Sequence, residues 1–468
     1  MRNLPERLSL LPAFVIAAML AVPASAQHLT PLERSRIDSA AQAVLAGTGA
    51  PSTSIAVVRG GVIVYEQAFG DAQAGTPASP TMRYAIGSVS KQFTAAAVLL
   101  LAEDGKLSLD DPVARWFPAL TRSGDVTLRQ LLSMTSGYQD YWPQDYVYTA
   151  MRGTATATAI GTSWAGKSLD FEPGSAWQYS NTNYVIAGAI VERVAGVPFM
   201  DFLRHRIFTP LGMNVADFDA GPLDSRDAGA WLRHGLGPLR PAPKEGRGWL
   251  FAAGQLAMTA HDLAIWNIAT IERTAMSAAS YREQQTATRL SAGTATGYGL
   301  GINASMEDGR RRLSHGGAVS GYTTTNIVYP DDRVAITVFT NIYPGGGGAA
   351  GQIAARIAAI ILPQVDSLGA ADEVLARRLY GDLMHGKIDR DILTPNARDY
   401  FEPEVLADYG ASLGALGAPT EFTPTGSSVR GGLQIRNYRI RAGKAILDLT
   451  MMTTSAGHVE QYVVQRSG

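Results

Sequence analysis

Not one of the 468 residues is cysteine, which excludes disulfide bonds and thiol chemistry. An oxidising compartment permits disulfides without requiring them, so this absence leaves the location open. Neither sign of charge prevails: 40 Lys and Arg meet 41 Asp and Glu, a net charge of −1. A chain so balanced has no electrostatic footprint for nucleic acid or for an anionic membrane. The apolar stretch Leu8 to Val22 is interrupted by Pro12 and is too short to favour a membrane span. The histidines and carboxylates form no H-E-x-x-H or comparable metal spacing. Gly345-Gly346-Gly347-Gly348 lacks the G-K-[ST] ending of a phosphate loop and reads as a flexible turn. No cofactor motif is present.

What is there begins with the first residues. Arg2 and Arg7, the apolar stretch and Pro23-Ala24-Ser25-Ala26 before Gln27 have the pattern of a secretory signal peptide over residues 1–26: basic start, short apolar middle, A-x-A cleavage site. No cysteine follows for lipid attachment, so the expected product is soluble and outside the cytoplasm, periplasmic or extracellular, with no stable membrane anchor. With 46% hydrophobic residues, the remainder has an ordinary globular composition for two domains.

Three short strings then stand out in order: Ser88-Val89-Ser90-Lys91, Tyr179-Ser180-Asn181 and His315-Gly316-Gly317. Behind the first runs an Ala/Leu-rich segment, Lys91 to Leu101, expected to be a helix ending near Gly105. Ser88 then falls at a helix N-terminus, where free backbone N–H groups favour negative charge, and Lys91 shares its face three residues on. A lysine acts as a base only when burial or nearby charge lowers its pKa, and the apolar run provides for burial. S-x-x-K alone recurs by chance in chains of this length.

The second string closes a turn-rich loop, Phe171 to Tyr179, ahead of a helical stretch from Tyr184 to Ala195. A tyrosine beside a cationic lysine can relay protons, and Asn181 can hold the lysine amine or a substrate amide. The same residues also read as an ordinary helix start capped by Asn181 or Thr182. Glycines in the third string let a substrate approach a strand edge closely, and a backbone N–H there could join that of Ser88 in an oxyanion hole. Taken by itself, that string also fits a glycine-rich hairpin.

In order and setting the three strings resemble the serine β-lactamase and penicillin-binding-protein superfamily, closest to its class C, D-stereospecific peptidase and family VIII esterase branch. The likeness covers roughly residues 30 to 365 and includes Thr127 to Gly137, with its T-S-G ending, and the glycine turn and helix start Ala252 to Leu263. It implies Ser88 as acylated nucleophile, Lys91 as its base and Tyr179 as a proton relay that also activates the deacylating water. Asn181 would orient Lys91 and the substrate, and the N–H of Ala318 would complete the oxyanion hole, without a metal. His315 stands where many relatives carry the lysine of K-T-G. Histidine is mostly uncharged near neutral pH, so the departure tilts the expectation away from substrate carboxylates and toward esters, amides or amino-terminal D-peptides. The expected function is a secreted serine hydrolase acting on a small ester, amide or peptide. The alternative is an idle relative that binds cell-wall fragments or partners, against which the intact Ser88, Lys91 and Tyr179 argue. Tyr138, Tyr141 and Trp142 are candidates for an acyl pocket or for plain packing.

One rival exists in Gly410-Ala411-Ser412-Leu413-Gly414, which satisfies G-x-S-x-G with Asp448 and His458 following. A nucleophile elbow needs a buried strand before its serine, whereas Pro403 to Tyr409 reads as helix.

The expected fold class is α+β. Pro31 to Ala46 reads as a helix with Gly47 past its end, followed by a hairpin of Ser54–Val58 and Val62–Phe69. Helices fill the middle, and strand character returns at Tyr298–Ile302, near His315, and at Thr323–Tyr329 and Val334–Thr340, before a helix over Ala349–Leu362. An antiparallel sheet built from both ends, flanked by helices, fits a hydrolase domain over 27–365. After a linker at 366–370, residues 371–468 read as a small α+β domain, with helices near 372–384 and 403–413 and strands near 421–424, 433–441, 444–452 and 459–466. In pattern it resembles the cone-shaped domains of the nuclear-transport-factor-2-like superfamily.

Overall fold

Strand periodicity explains the first layer. In the computed structural model, which describes residues 28–144, 146–221, 224–307, 309–362 and 367–467, strands β1 (Ser52–Arg59), β2 (Val62–Gln73), β3 (Thr76–Pro77), β4 (Asn303–Glu307), β5 (Arg310–Val319), β6 (Tyr322–Tyr329) and β7 (Val334–Thr340) form one sheet. Its order is β3-β2-β1-β7-β6-β5-β4, so the two ends of this part of the chain meet where β1 pairs antiparallel with β7. Successive side chains point to opposite faces. Ile55, Val57, Ile336 and Val338 join one core with Ile37 and Val44 of helix α1 (Pro31–Thr48) and Ile353 and Ile357 of a C-terminal helix (Ala349–Ile361). Ala56, Val58, Ala335 and Phe339 join the other, beneath the helical region.

Helix α2 (Lys91–Glu103) lies in that second core, with every residue from Lys91 to Leu101 buried. An Ala/Leu helix that is apolar all round belongs in an interior. Beside it run α3 (Leu128–Leu132), α4 (Asn181–Ala195) and α5 (Ala260–Glu272), and the helix Ala349–Ile361 becomes α6. Several of the expected boundaries differ, among them the strand expected near 421–424, which runs over Pro419–Arg430, and the helix expected from 372, which begins at Ser367 within the expected linker. Helix α1 continues to Thr48 and ends on Gly49 at φ 65°, so Gly47 sits inside its last turn. Tyr298–Ile302 is a turn with a single bridge, and the strand begins at Asn303. Helix α4 starts at Asn181, three residues early, because Asp140 supplies its first N–H with an acceptor.

The described residues divide into two compact units, the first reaching to Leu362. The expected signal segment, 1–26, lies outside the described residues, as does part of the expected linker. In the second unit helices α7 (Ser367–Met384), α8 (Pro395–Tyr400) and α9 (Pro403–Leu416) cover a four-stranded antiparallel meander of β8 (Pro419–Arg430), β9 (Leu433–Ala442), β10 (Ala445–Thr453) and β11 (Val459–Arg466). Its core includes Leu379, Leu383, Phe401, Ile440, Leu449 and Tyr462. No helix among the described residues is long and apolar enough to cross a membrane.

Candidate active site

Ser88 sits in a 3-10 turn, Gly87–Ser90, that leads directly into α2, and Lys91 is the first residue of the helix proper. The two side chains therefore point the same way, and Lys91 Nζ lies 2.8 Å from Ser88 Oγ. Lys91 is fully buried, and its amine also donates to Asn181 Oδ1 and to the Ala253 carbonyl, each at 2.8 Å. Both of these oxygens can only accept, which leaves the third direction of the amine for the serine. In its neutral form the lysine lone pair faces the Ser88 hydroxyl, the arrangement a general base requires.

The Tyr179 ring lies over the same amine, its centroid 5.0 Å from Lys91 Nζ and 6.3 Å from the ring of His315. Asn181, the first residue of α4, is fixed in turn by Asp140, a carboxylate the sequence reading passed over. Its backbone N–H donates to Asp140 Oδ1 at 2.9 Å and its Nδ2 to Asp140 Oδ2 at 3.2 Å, while Trp142 N also donates to Oδ1 at 3.1 Å. Burial raises the Asp140 pKa, opposed by those N–H groups and by Lys91. Thr182 does not cap α4 either; its Oγ1 accepts from Tyr141 N and donates to Gln139 O.

The third string comes to the site by strand geometry. Strand β5 pairs with β4 only over Arg310–Ser314, so His315 to Val319 extend past the end of β4 along the Ser88 turn. The approach is backbone to backbone. A Cβ at Gly317 would lie 1.9 Å from Ile86 O, and one at Gly87, which has φ +50°, would lie 2.9 Å from Ala318 N. Ser88 and Ala318 consequently wall the same cavity, where their N–H groups can serve one oxyanion. Gly316 is not so confined: its nearest neighbour would be Thr324 O at 3.7 Å.

His315 is buried and held at both nitrogens. Nδ1 is 2.6 Å from Gly316 O, which only accepts, so Nδ1 carries the proton and Nε2 accepts from Tyr298 Oη at 2.9 Å. Burial, then the charge of Lys91, lowers its pKa to about 4 against the pull of the Gly316 carbonyl. At neutral pH this position therefore presents an uncharged imidazole.

A cavity of about 440 Å³ joins these groups; Ser88, Tyr179, Asn181, His315, Gly316, Gly317 and Ala318 all line it. Tyr141 and Trp142 line it as well, whereas Tyr138 is buried in the core outside it. The sequence reading missed Asp140, Tyr298 and the Ala253 carbonyl. Tyr298 and Ala253 act by position in a turn and through a main-chain oxygen, neither of which leaves a side-chain pattern. Asp140 stands three residues past the T-S-G segment, and that spacing was the available signal. Ser412, by contrast, lies within α9 and donates to Asp408 O at 2.6 Å, with Asp448 in β10 and its carboxylate on Arg439, so no nucleophile elbow forms there.

The model of the family described as Beta-lactamase matches residues 37–360. The chain belongs to that family. Among its relatives, penicillin-binding protein 4* of Bacillus subtilis is 31% identical over 306 residues, 62% of this chain and 67% of that protein. The D-aminopeptidase of Brucella anthropi is 28% identical over 316 residues, 67% of this chain and only 59% of the relative. A D-stereospecific amidohydrolase from a Streptomyces species superposes with a TM-score of 0.60 at 25% identity, over 68% of this chain and 96% of that one. A structure described as an octameric penicillin-binding protein homologue from Pyrococcus abyssi shares the fold at 20% identity and a TM-score of 0.63, over 92% of this chain and 99% of that one.

Proposed function

We propose that this member of the Beta-lactamase family is an exported serine hydrolase that cleaves uncharged esters or amides through an acyl-enzyme on Ser88. The observation that carries the reading is the 2.8 Å contact between Ser88 Oγ and the buried Lys91 amine. Ser88 Oγ attacks the substrate carbonyl and passes its proton to Lys91 Nζ, while the N–H groups of Ser88 and Ala318 receive the developing oxyanion. Tyr179, over the amine, hands a proton to the leaving group, and the same groups activate the water that releases the acid. The names of the D-aminopeptidase and D-stereospecific amidohydrolase relatives support D-configured amides as first substrates to try.

The neutral His315 supports esters and amides over acids, because a substrate carboxylate finds no full positive charge at that position. The expected result is measurable cleavage of short-chain p-nitrophenyl esters with slow or absent penicillin hydrolysis. A fluorophosphonate probe tests the central claim: mass spectrometry should place the adduct on Ser88, with none in the Ser88→Ala variant. No adduct on Ser88 would favour a binding protein, and efficient cephalosporin turnover would contradict the substrate preference. Export rests on the pattern of residues 1–26. N-terminal sequencing of the exported chain should begin at Gln27, and an intact leader would refute that part.

A further inference from the structure

Asp140 is placed behind the site, not in it. It is not among the described residues that line the cavity, yet it holds Asn181, whose amide orientation sets one of the acceptors that Lys91 meets. An amide side chain can present either its oxygen or its NH2, and the choice is set by its partners. Here Asp140 Oδ2 receives Asn181 Nδ2, which turns Asn181 Oδ1 toward Lys91 Nζ. The reverse orientation would set an NH2 against the lysine amine and remove an acceptor that aims it at Ser88.

The carboxylate is also unavailable for other duties. Its Oδ1 takes the N–H groups of Trp142 and Asn181, so it closes a turn in the loop that carries Tyr141 and Trp142 and satisfies the first N–H of α4. Ser180, the residue in the N-cap place, makes no side-chain cap bond, and its Oγ has no hydrogen-bond partner among the described residues. Asp140 thus caps α4 from another segment of the chain. One side chain ties the aromatic wall of the cavity, the start of α4 and the lysine base into a single unit.

We propose that Asp140 is a positioning residue for the hydrolytic reaction, fixing the amide of Asn181 so that the Lys91 amine is aimed at Ser88. This rests on the reading of Ser88 and Lys91 as nucleophile and base. In Asp140→Asn the two backbone N–H groups still require an oxygen at Oδ1, so the new NH2 faces Asn181 Nδ2 and the Asn181 amide must turn over. Asn181→Asp places two carboxylates in contact. The exchanged pair, Asp140→Asn with Asn181→Asp, restores donor opposite acceptor and again points an oxygen at Lys91.

The test measures, for wild type, both single variants and the exchanged pair, the rate of Ser88 modification by a fluorophosphonate, the kcat and KM for a p-nitrophenyl ester, and Tm. Each single substitution should slow Ser88 modification by about 100-fold, within the range assigned to a misplaced acid–base group, with the loss in kcat and KM changed less than threefold. The exchanged pair should recover at least tenfold over the worse single variant and regain Tm. An Asp140→Asn protein within threefold of wild type overturns the proposal, as does an exchanged pair no faster than the worse single variant. A wild-type protein that takes no label at Ser88 refutes the hydrolase reading instead, and Asp140 falls with it as a positioning residue, while the Tm cycle still reports whether the carboxylate and amide are paired.

Discussion

Burial does different work at Lys91, His315 and Glu245. Lys91 has its amine spread over three oxygens, so its burial costs little in unmet hydrogen bonds and fixes its aim. Replacing it by methionine keeps the bulk and removes the proposed base, and Ser88 modification should slow roughly 10²–10⁴-fold, read by the fluorophosphonate rate. Glu245 is buried behind the end of β5, where Oε1 accepts from Ser320 N at 2.8 Å and Oε2 finds no partner among the described residues. Burial raises its pKa from 4.5 to about 7. A carboxyl whose folded pKa is raised favours the fold when protonated, so its contribution is present below pH 4.5 and lost as pH rises through 7. Tm of wild type relative to Glu245→Gln should therefore fall between pH 4.5 and 7 and level off above. His315 has the opposite sign: its pKa drops from 6.5 to about 4, so wild type relative to His315→Gln should lose Tm as pH falls through that window.

Two adjacent glycines of β5 separate an element that must touch from one that merely passes. Gly317 meets the Ile86 carbonyl with no room for a methyl group, and that contact is what brings Ala318 beside Ser88. Gly317→Ala forces β5 off the Ser88 turn, so Ser88 modification should fall by at least about 10²-fold, as for loss of an oxyanion donor, with a lower Tm. Gly316→Ala adds its Cβ at ordinary contact distance and should leave Tm close to wild type. Both outcomes are read from one melt and one labelling series. Neither glycine can be told from the other in the string His315-Gly316-Gly317; the difference comes from which face of the strand looks at Ile86. The same holds at α4, where the local sequence offers Asn181 or Thr182 as the cap and neither side chain fills that place. The cap is Asp140, 41 positions away.

At the level of the molecule, the two units have separate cores. Ile55, Val338 and Ile353 belong to one of the cores before Leu362, and Leu379, Ile440 and Leu449 to the core after it, with no residue shared. Every described residue that lines the candidate site precedes Leu362. A chain ended after Leu362 should therefore stay folded and still take the fluorophosphonate at Ser88, checked by calorimetry and mass spectrometry. Loss of labelling in a folded truncated chain would show that the second unit contributes to the chemistry.

The amino-acid sequence alone determined the parts whose signal is local. Residues three apart on a helix share a face, so the spacing by itself pairs Ser88 with Lys91, and β-branched runs such as Thr323–Tyr329 and Val334–Thr340 announce their strands. Tertiary structure alone decided what depends on partners distant in the chain: the orientation of Asn181, the protonation and tautomer of His315 between Gly316 and Tyr298, and the choice of Ala253 O as the third neighbour of the lysine. Hydrogen-bond direction and desolvation are properties of an environment, and that environment exists only once strands from the two ends of the first unit have paired across Ile55 and Val338.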